Sequence, residues 1–257
     1  MKGSKLTDDV HRNSLSGWVF FDETPSFEVA TQRIPWHQGE TVSPFLNGAD
    51  GVSCAVIGCI HNLAEVAQVE VSPSEGDTCV IAKIFESGGL DAVSQLEGIY
   101  TIFIFDGRNG KGYIFQDDVG SNIPLYFTRT SRGIRFSTRL RNVLKAMPAP
   151  REPDIEACFD ALLSDTYYSA NVIPNHRTLV RNVHKIMPET CLEIDVRERT
   201  SRVRPFSRIQ WMTRFDNGDR NLLNAVDTSM TKHVSLISPA PLGATLSSGY
   251  DTNYLLH

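Results

Sequence analysis

The chain has 257 residues, enough for one large domain or for a medium domain with part of a second, and its 41% hydrophobic and 21% charged residues belong to a globular fold rather than a disordered arm. A formal charge of −5 with dispersed Lys and Arg leaves no basic stripe for a nucleic-acid backbone, and apolar runs such as YTIFIF (100–105) fall far short of the ~20 residues that cross a bilayer. The opening MKGSKLTDDVHRNS has basic residues without the apolar segment of a signal peptide, so a cytoplasmic protein with no membrane and no nucleic-acid partner is expected.

Strands are expected at GWVFF (17–21), SCAVIGCI (53–60), YTIFIF (100–105), GYIF (112–115), PLYF (124–127) and IRFS (134–137), runs rich in β-branched and aromatic residues between turn residues. DGRNGKG (106–112) is glycine-rich like a dinucleotide loop, but strand follows it where that motif needs a helix, and it reads as a hairpin turn. In DTCVIAKIFESGGLDAVSQL, Val80, Ile81, Ile84 and Phe85 share one helical face and Leu90, Val93 and Leu96 the next, with Asp77 placed as N-cap of the first helix. Helices are expected at 137–147 and 154–164, linked by MPAPREP (147–153). TLVRNVHKIMPETCLEIDV (178–196) reads as a strand pair turning at Pro188 to Thr190. In NLLNAVDTSMTKHVSLI (221–237), Leu222, Leu223, Val226, Met230 and Val234 form the stripe of an amphipathic helix. A turn SPAP, a strand LGATL, the loop LSSGYDT (246–252) and the start of another helix follow. The pattern up to about 147 is two antiparallel sheets with helices outside; from about 210 an α/β architecture begins.

Five cysteines (54, 59, 79, 158 and 191) in a chain of this length without a secretion signal argue for reduced thiols. Cys54 and Cys59 are half of a metal-ligand spacing with no second pair, so they read as buried strand residues. His61 and His184 lie in strand-like surroundings with no paired acid in sequence and read as structural.

The loop LSSGYDT stands where a strand passes into a helix. There the unpaired N–H groups of the first turn and the helix dipole favour phosphate oxygens. Ser247, Ser248 and Thr252 add hydroxyls, Gly249 permits close backbone approach, and Asp251 offers a carboxylate to a magnesium ion carried with the phosphates. No Lys follows the glycine, so the usual P-loop is excluded. Alone, the heptapeptide reads better as an ordinary tight βα turn.

The loop has company. LSSGYDT resembles the S-G-G-x-D-S pyrophosphate loop of the asparagine synthetase family, preceded by a helix as in that family. QLEGIYTIFIFD (95–106) and QDDVGSNIPLYF (116–127) are similar to two further family segments, and residues 151–190 resemble its connecting segment in order and spacing. The resemblance covers roughly residues 15 to 257. It implies an α+β fold: a glutamine amidotransferase domain built as a four-layer αββα sandwich of the N-terminal-nucleophile hydrolase kind, residues 1–205, followed by the start of an α/β ATP-pyrophosphatase domain, residues 206–257. Ser248 replaces the loop's first glycine and Thr252 its final serine. ATP and Mg are the implied cofactors, with Ser247, Ser248, Gly249, Asp251 and Thr252 holding pyrophosphate and Asp251 the metal; Tyr250 is a packing or base-stacking residue.

In that family the glutaminase nucleophile is a cysteine directly after the initiator Met, activated by its own α-amine. Here residue 2 is Lys, and the corresponding strand LSGWVFFD lies about 15 residues in, with Ser14 and Ser16 as nearby hydroxyls that would need proteolytic exposure. No catalytic residue is therefore assigned. IGCIHN (57–62) corresponds to the family's N-G-E-I-Y-N, so Ile57 replaces the amide donor of the oxyanion site and only Gly58 remains. Asp77 matches the carboxylate that grips the amino group of glutamine, and Cys59 reads as packing rather than a substitute nucleophile. Members without the cysteine resemble β-lactam synthetases and lasso-peptide macrolactam cyclases. The expectation is the N-terminal portion of an ATP-dependent, carbon-nitrogen bond-forming ligase acting on a small-molecule or peptide substrate without glutamine hydrolysis. The rivals are a glutamine-hydrolysing synthetase with a misassigned N-terminus and an inactive stand-alone binding domain.

Overall fold

The computed structural model describes residues 14–21, 26–32, 45–46, 51–67, 76–117, 123–147, 150–163, 175–206 and 218–237. The strands are β1 (Ser14–Phe20), β2 (Ser26–Gln32), β3 (Phe45–Leu46), β4 (Val52–Ile60), β5 (Gly98–Asp106), β6 (Lys111–Gln116), β7 (Tyr126–Thr130), β8 (Gly133–Ser137), β9 (Val183–Lys185), β10 (Thr190–Asp195) and β11 (Thr200–Pro205). The helices are α1 (Leu63–Ala67), α2 (Asp77–Val93), α3 (Leu140–Lys145), α4 (Ile155–Leu163) and α5 (Gly218–Ile237). One sheet runs β2-β1-β8-β7-β9 and the other β11-β10-β6-β5-β4-β3, with every described pairing antiparallel.

Side-chain alternation decides the layering. In β4, Cys54 and Val56 join a core with α2, while Ala55 and Ile57 join the core between the sheets. In β5, Ile102 and Ile104 face the helix, and Phe103 and Phe105 face the other sheet. Two-faced burial is why these strands read as unbroken apolar runs. The second sheet contributes Leu15, Val19, Phe127, Ile134 and Phe136 to the shared core. Its opposite face carries Ser16 and Ser137, and Asn142 of α3 reaches Ser16 Oγ at 3.2 Å. The order is helix, sheet, sheet, helix: the α+β four-layer sandwich expected.

The DGRNGKG hairpin is confirmed. Asp106 accepts the Arg108 N–H at 3.0 Å and the Asn109 side-chain amide at 2.6 Å, and Gly110 takes φ +67°. Two expectations are corrected. Residues 178–196 do not form a strand pair: β9 joins β7 in one sheet and β10 joins β6 in the other, and the chain crosses the sandwich at Ile186, which is buried between the sheets and donates its N–H to Leu125 O at 2.8 Å. The partner of β10 is instead β11, a polar edge strand without apolar alternation. The N-cap of α2 is Gly76, with extended backbone and no side-chain cap hydrogen bond, so Asp77 is the first helical residue rather than the cap. The two helical faces read there are two helical stretches that meet at a kink at Gly89, as expected.

The chain divides into two compact units, Met1–Trp36 with Glu40–Gln210, and His37–Gly39 with Trp211–His257. In the second, α5 is the helix expected, and Met230 and Val234 of its apolar stripe are exposed. No helix among the described residues is long and apolar enough to cross a membrane.

Candidate functional site

The segment 57–62 ends β4 beside the start of β5, in the register Ile57↔Thr101, Gly58↔Tyr100, Cys59↔Ile99 and Ile60↔Gly98. Gly58 has φ +100°, and a Cβ there would lie 2.0 Å from Ile99 O and 2.8 Å from Tyr100 Cα. Only glycine fits so close an approach. Ile57 is fully buried in the core between the sheets. Its side chain is part of the packing and offers no hydrogen-bond donor.

After Ile60 the strand closes on a polar staple. Asn62, almost wholly buried, donates its side-chain amide to Gln95 O at 2.9 Å and accepts the Glu97 N–H at 2.7 Å, while its carbonyl receives the Val66 N–H of α1. The His61 N–H bonds Glu97 O at 2.7 Å. Asp117 does similar work at the far end of β6: its carboxylate accepts the Tyr100 N–H at 3.2 Å and its own N–H bonds Tyr100 O. Sequence reasoning missed both pins. Asn62 carried a signal, since Asn directly before a helix is a strong end-of-loop residue.

Asp77 stands at the first turn of α2, and its charge acts on the Cys54 thiol, which faces the helices from β4. Burial pushes that thiol far above its ordinary range and Asp77 adds to the effect. Cys191 is driven up to about 12, also chiefly by burial. Both are therefore held as neutral, unreactive thiols. Ile57 and Cys54 sit on opposite faces of β4, so the Ile57 side chain points away from the face on which Asp77 acts. Cys59 is half-buried next to Gly58. Among the described residues no group of three or more His, Cys, Asp or Glu is arranged to hold a metal.

Ser14 and Ser16 lie in β1. Ser16 pairs with Ala30 of β2 on one side and Ser137 of β8 on the other. Its hydroxyl sits 2.7 Å from that of Ser137, which accepts the Arg139 N–H, and the preceding Leu15 is core with its N–H on Thr138 Oγ1. The nitrogen of Ser16 is thus a ladder amide and not a free amine. His184, on β9, rests against Phe127 and His176; burial and then the His176 ring hold its imidazole below the ordinary value, and Asp154 opposes them. A cavity of about 300 Å³ lies elsewhere, between Lys111, Glu193, Asp195, Thr200, Ser201 and Arg202. Ser247, Ser248, Gly249, Tyr250, Asp251 and Thr252 lie outside the described residues.

A family profile described as glutamine amidotransferase domain matches residues 20–206. A protein assigned as glutamine-hydrolysing asparagine synthetase 2 in Methanocaldococcus jannaschii is 26% identical over 184 residues, 69% of this chain and 34% of that protein. The glutamine-hydrolysing asparagine synthetase 2 of Bacillus subtilis is 23% identical over 228 residues, 83% of this chain and 30% of that protein. The chain therefore spans about a third of the length of these curated relatives. Among solved structures, glutamine phosphoribosylpyrophosphate amidotransferase from B. subtilis aligns with TM-score 0.44 and 13% identity, over 77% of this chain and 44% of that one. A glutamine aminotransferase class-II domain protein from Silicibacter pomeroyi aligns with TM-score 0.40 and 13% identity, over 77% of this chain and 99% of that one.

Proposed function

This chain belongs to the glutamine amidotransferase domain family, in its asparagine synthetase form, and from that footing we propose that it serves an ATP-dependent amide-forming ligase without itself hydrolysing glutamine. The observation that carries this reading is Ile57. Where the resemblance expects a side-chain amide to steady the oxyanion of a cleaving amide, a fully buried aliphatic chain fills the core between the sheets. Loss of one such donor costs on the order of 100-fold or more in rate. Ser16 supports the same conclusion, because its nitrogen is engaged in the sheet and cannot take up a proton as an amine base. Gly58 and Asp77 persist, and both have structural reasons to do so: a closed strand pair and the first turn of α2.

The ligase part of the proposal places an amidotransferase-like domain at 1–205 and the start of a synthetase domain at 206–257. Bound Mg-ATP would supply a good leaving group to a substrate carboxylate, by way of its adenylate, and an amine already on the substrate would replace it. Ser247, Ser248, Gly249 and Thr252 would hold pyrophosphate and Asp251 the magnesium, by resemblance of the loop.

Two measurements test the reading. Ammonia release from glutamine is expected to stay at the background rate; release at a rate comparable to a working glutaminase would overturn the first half. Equilibrium dialysis with Mg-ATP is expected to show binding that Asp251→Asn weakens by about tenfold, in keeping with loss of a charged metal ligand. Absence of any ATP binding would leave a binding module in place of a ligase.

A further inference from the structure

The outer face of the six-stranded sheet is charged where β6, β10 and β11 run side by side. Leu192 and Ile194 turn into the core between the sheets, so Glu193 and Asp195 point the other way. Lys111 and Thr200 stand directly across from Asp195, and Arg202 across from Glu193. With Ser201 of the edge strand, these residues line the cavity of about 300 Å³. Glu193 is almost wholly buried and engaged within the protein: its carboxylate accepts Lys111 Nζ at 3.4 Å and Arg202 Nε and Nη2 at 3.2 and 3.0 Å, and lies 3.6 Å from Arg204 Nε. Burial works to raise that carboxyl, and Arg202 and then Lys111 hold it below its ordinary value, so it stays charged. The rest of the lining is less engaged. Among the described residues Lys111 Nζ has no partner besides Glu193, while Arg202 Nη1 and the Thr200 and Ser201 hydroxyls have none. Asp195 uses Oδ1 on the Glu198 N–H at 3.0 Å and leaves Oδ2 open. The turn between β10 and β11 adds Arg197, Glu198 and Arg199, all exposed; Arg197 is drawn to Arg108 O at 2.6 Å, and the other two are opposite in sign.

We propose that this cavity binds a small free amino acid as its zwitterion, the α-carboxylate on Arg202 and Lys111 and the α-ammonium on Asp195. Charge selects that class. Two cations, Lys111 and Arg202, and two carboxylates, Glu193 and Asp195, line the cavity. An anion would face the open oxygen of Asp195, and a cation would face Lys111 and Arg202. A molecule carrying both charges a few atoms apart meets a partner at each end. Size and lining narrow the class further. The volume stands at the lower end of ligand pockets, and the Thr200 and Ser201 hydroxyls suit a short polar side chain better than an apolar one.

The test is a titration of the full chain with L-serine, with ethanolamine, which lacks the carboxylate, and with 3-hydroxypropanoate, which lacks the amine. Each is taken to about 20 mM and followed by the backbone amide shifts of Lys111, Glu193, Asp195 and residues 200–202. L-serine is expected to give saturable shifts at these amides, and each of the other two to bind about tenfold more weakly or worse, because each loses one charged contact and meets a like charge. Two variants fix the orientation. Asp195→Asn, which keeps an acceptor for the Glu198 N–H, should weaken L-serine by about tenfold and tighten 3-hydroxypropanoate. Lys111→Gln should weaken L-serine and tighten ethanolamine. A residue with a structural role only would not reverse the order of the probes in this way, and either variant suffices if the other fails to fold. No saturable shift with L-serine overturns the proposal. So does ethanolamine or 3-hydroxypropanoate binding as tightly as L-serine, or an order of probes that both variants leave unchanged.

Discussion

Gly58 shows what a single missing side chain secures. Its φ of +100° and the 2.0 Å approach that a Cβ would make to Ile99 O are two separate penalties on any other residue. Gly58→Ala is expected to destabilise the protein by about 2–4 kcal/mol, read from the urea midpoint. An unchanged midpoint would mean that β4 and β5 can separate there freely. Titration gives a second prediction. Burial raises the Cys191 thiol to about 12, and burial, then the Glu193 charge, raises the Tyr113 hydroxyl from 10.0 to about 12. A raised folded value means that the unfolded chain releases its proton first, so stability is full below pH ~9 and falls as pH climbs towards 12. Urea midpoints measured from pH 8 to 11 should decline over that window, and a flat profile would refute the assignment. At this scale the sequence was partly legible. Gly58 could be named from its motif, but its backbone angle could not, and Asp77 was misplaced by one position because a carboxylate before an apolar helix suits the cap and the first turn equally well.

Among the elements, α2 is held in two pieces by one residue. Gly89 has φ +63° and ψ −152°, a region open essentially to glycine alone, and beyond its own stretch of chain no atom lies within 4 Å of where its Cβ would be. The cost of Gly89→Ala is thus conformational and not steric, about 1–3 kcal/mol, and it should appear as lost stability without disturbance of the neighbouring core. Backbone chemical shifts or amide exchange confined to the kink would check it; changes spread through β4 and β5 would contradict it. The strands read most easily were those buried on both faces, because their composition leaves no competing structure. β11 was invisible for the converse reason: Thr200, Arg202 and Arg204 alternate with Ser201 and Val203 on an edge that needs no apolar side. The separation of β9 from β10 was hidden as well, since their partners β7 and β6 lie far away in sequence and nothing local states which sheet a short strand joins.

Over the whole first unit, the six-stranded sheet supplies one face to each of two cores. Phe103 packs on Phe136 across the sandwich with ring centroids 5.2 Å apart, and on either side of it Ile102 and Ile104 face α2. Phe103→Ala is therefore expected to cost about 3–5 kcal/mol and to lower amide protection in both sheets together, not in one. Protection lost from the β1–β8 pair alone would show that the two cores unfold separately. The layer order was legible because alternation in β4 and β5 states both faces; the reading of LSSGYDT rests on resemblance alone and lies outside the described residues. The placement of Ser16 has a practical reach. A hydrolase whose base is its own terminal amine must be trimmed to a defined first residue before it works, and any leader left attached abolishes it. Here the strand runs through Leu15 into Ser16 with ladder partners on both sides, so in this chain the Ser16 nitrogen is a backbone amide inside a formed sheet and not such a first residue.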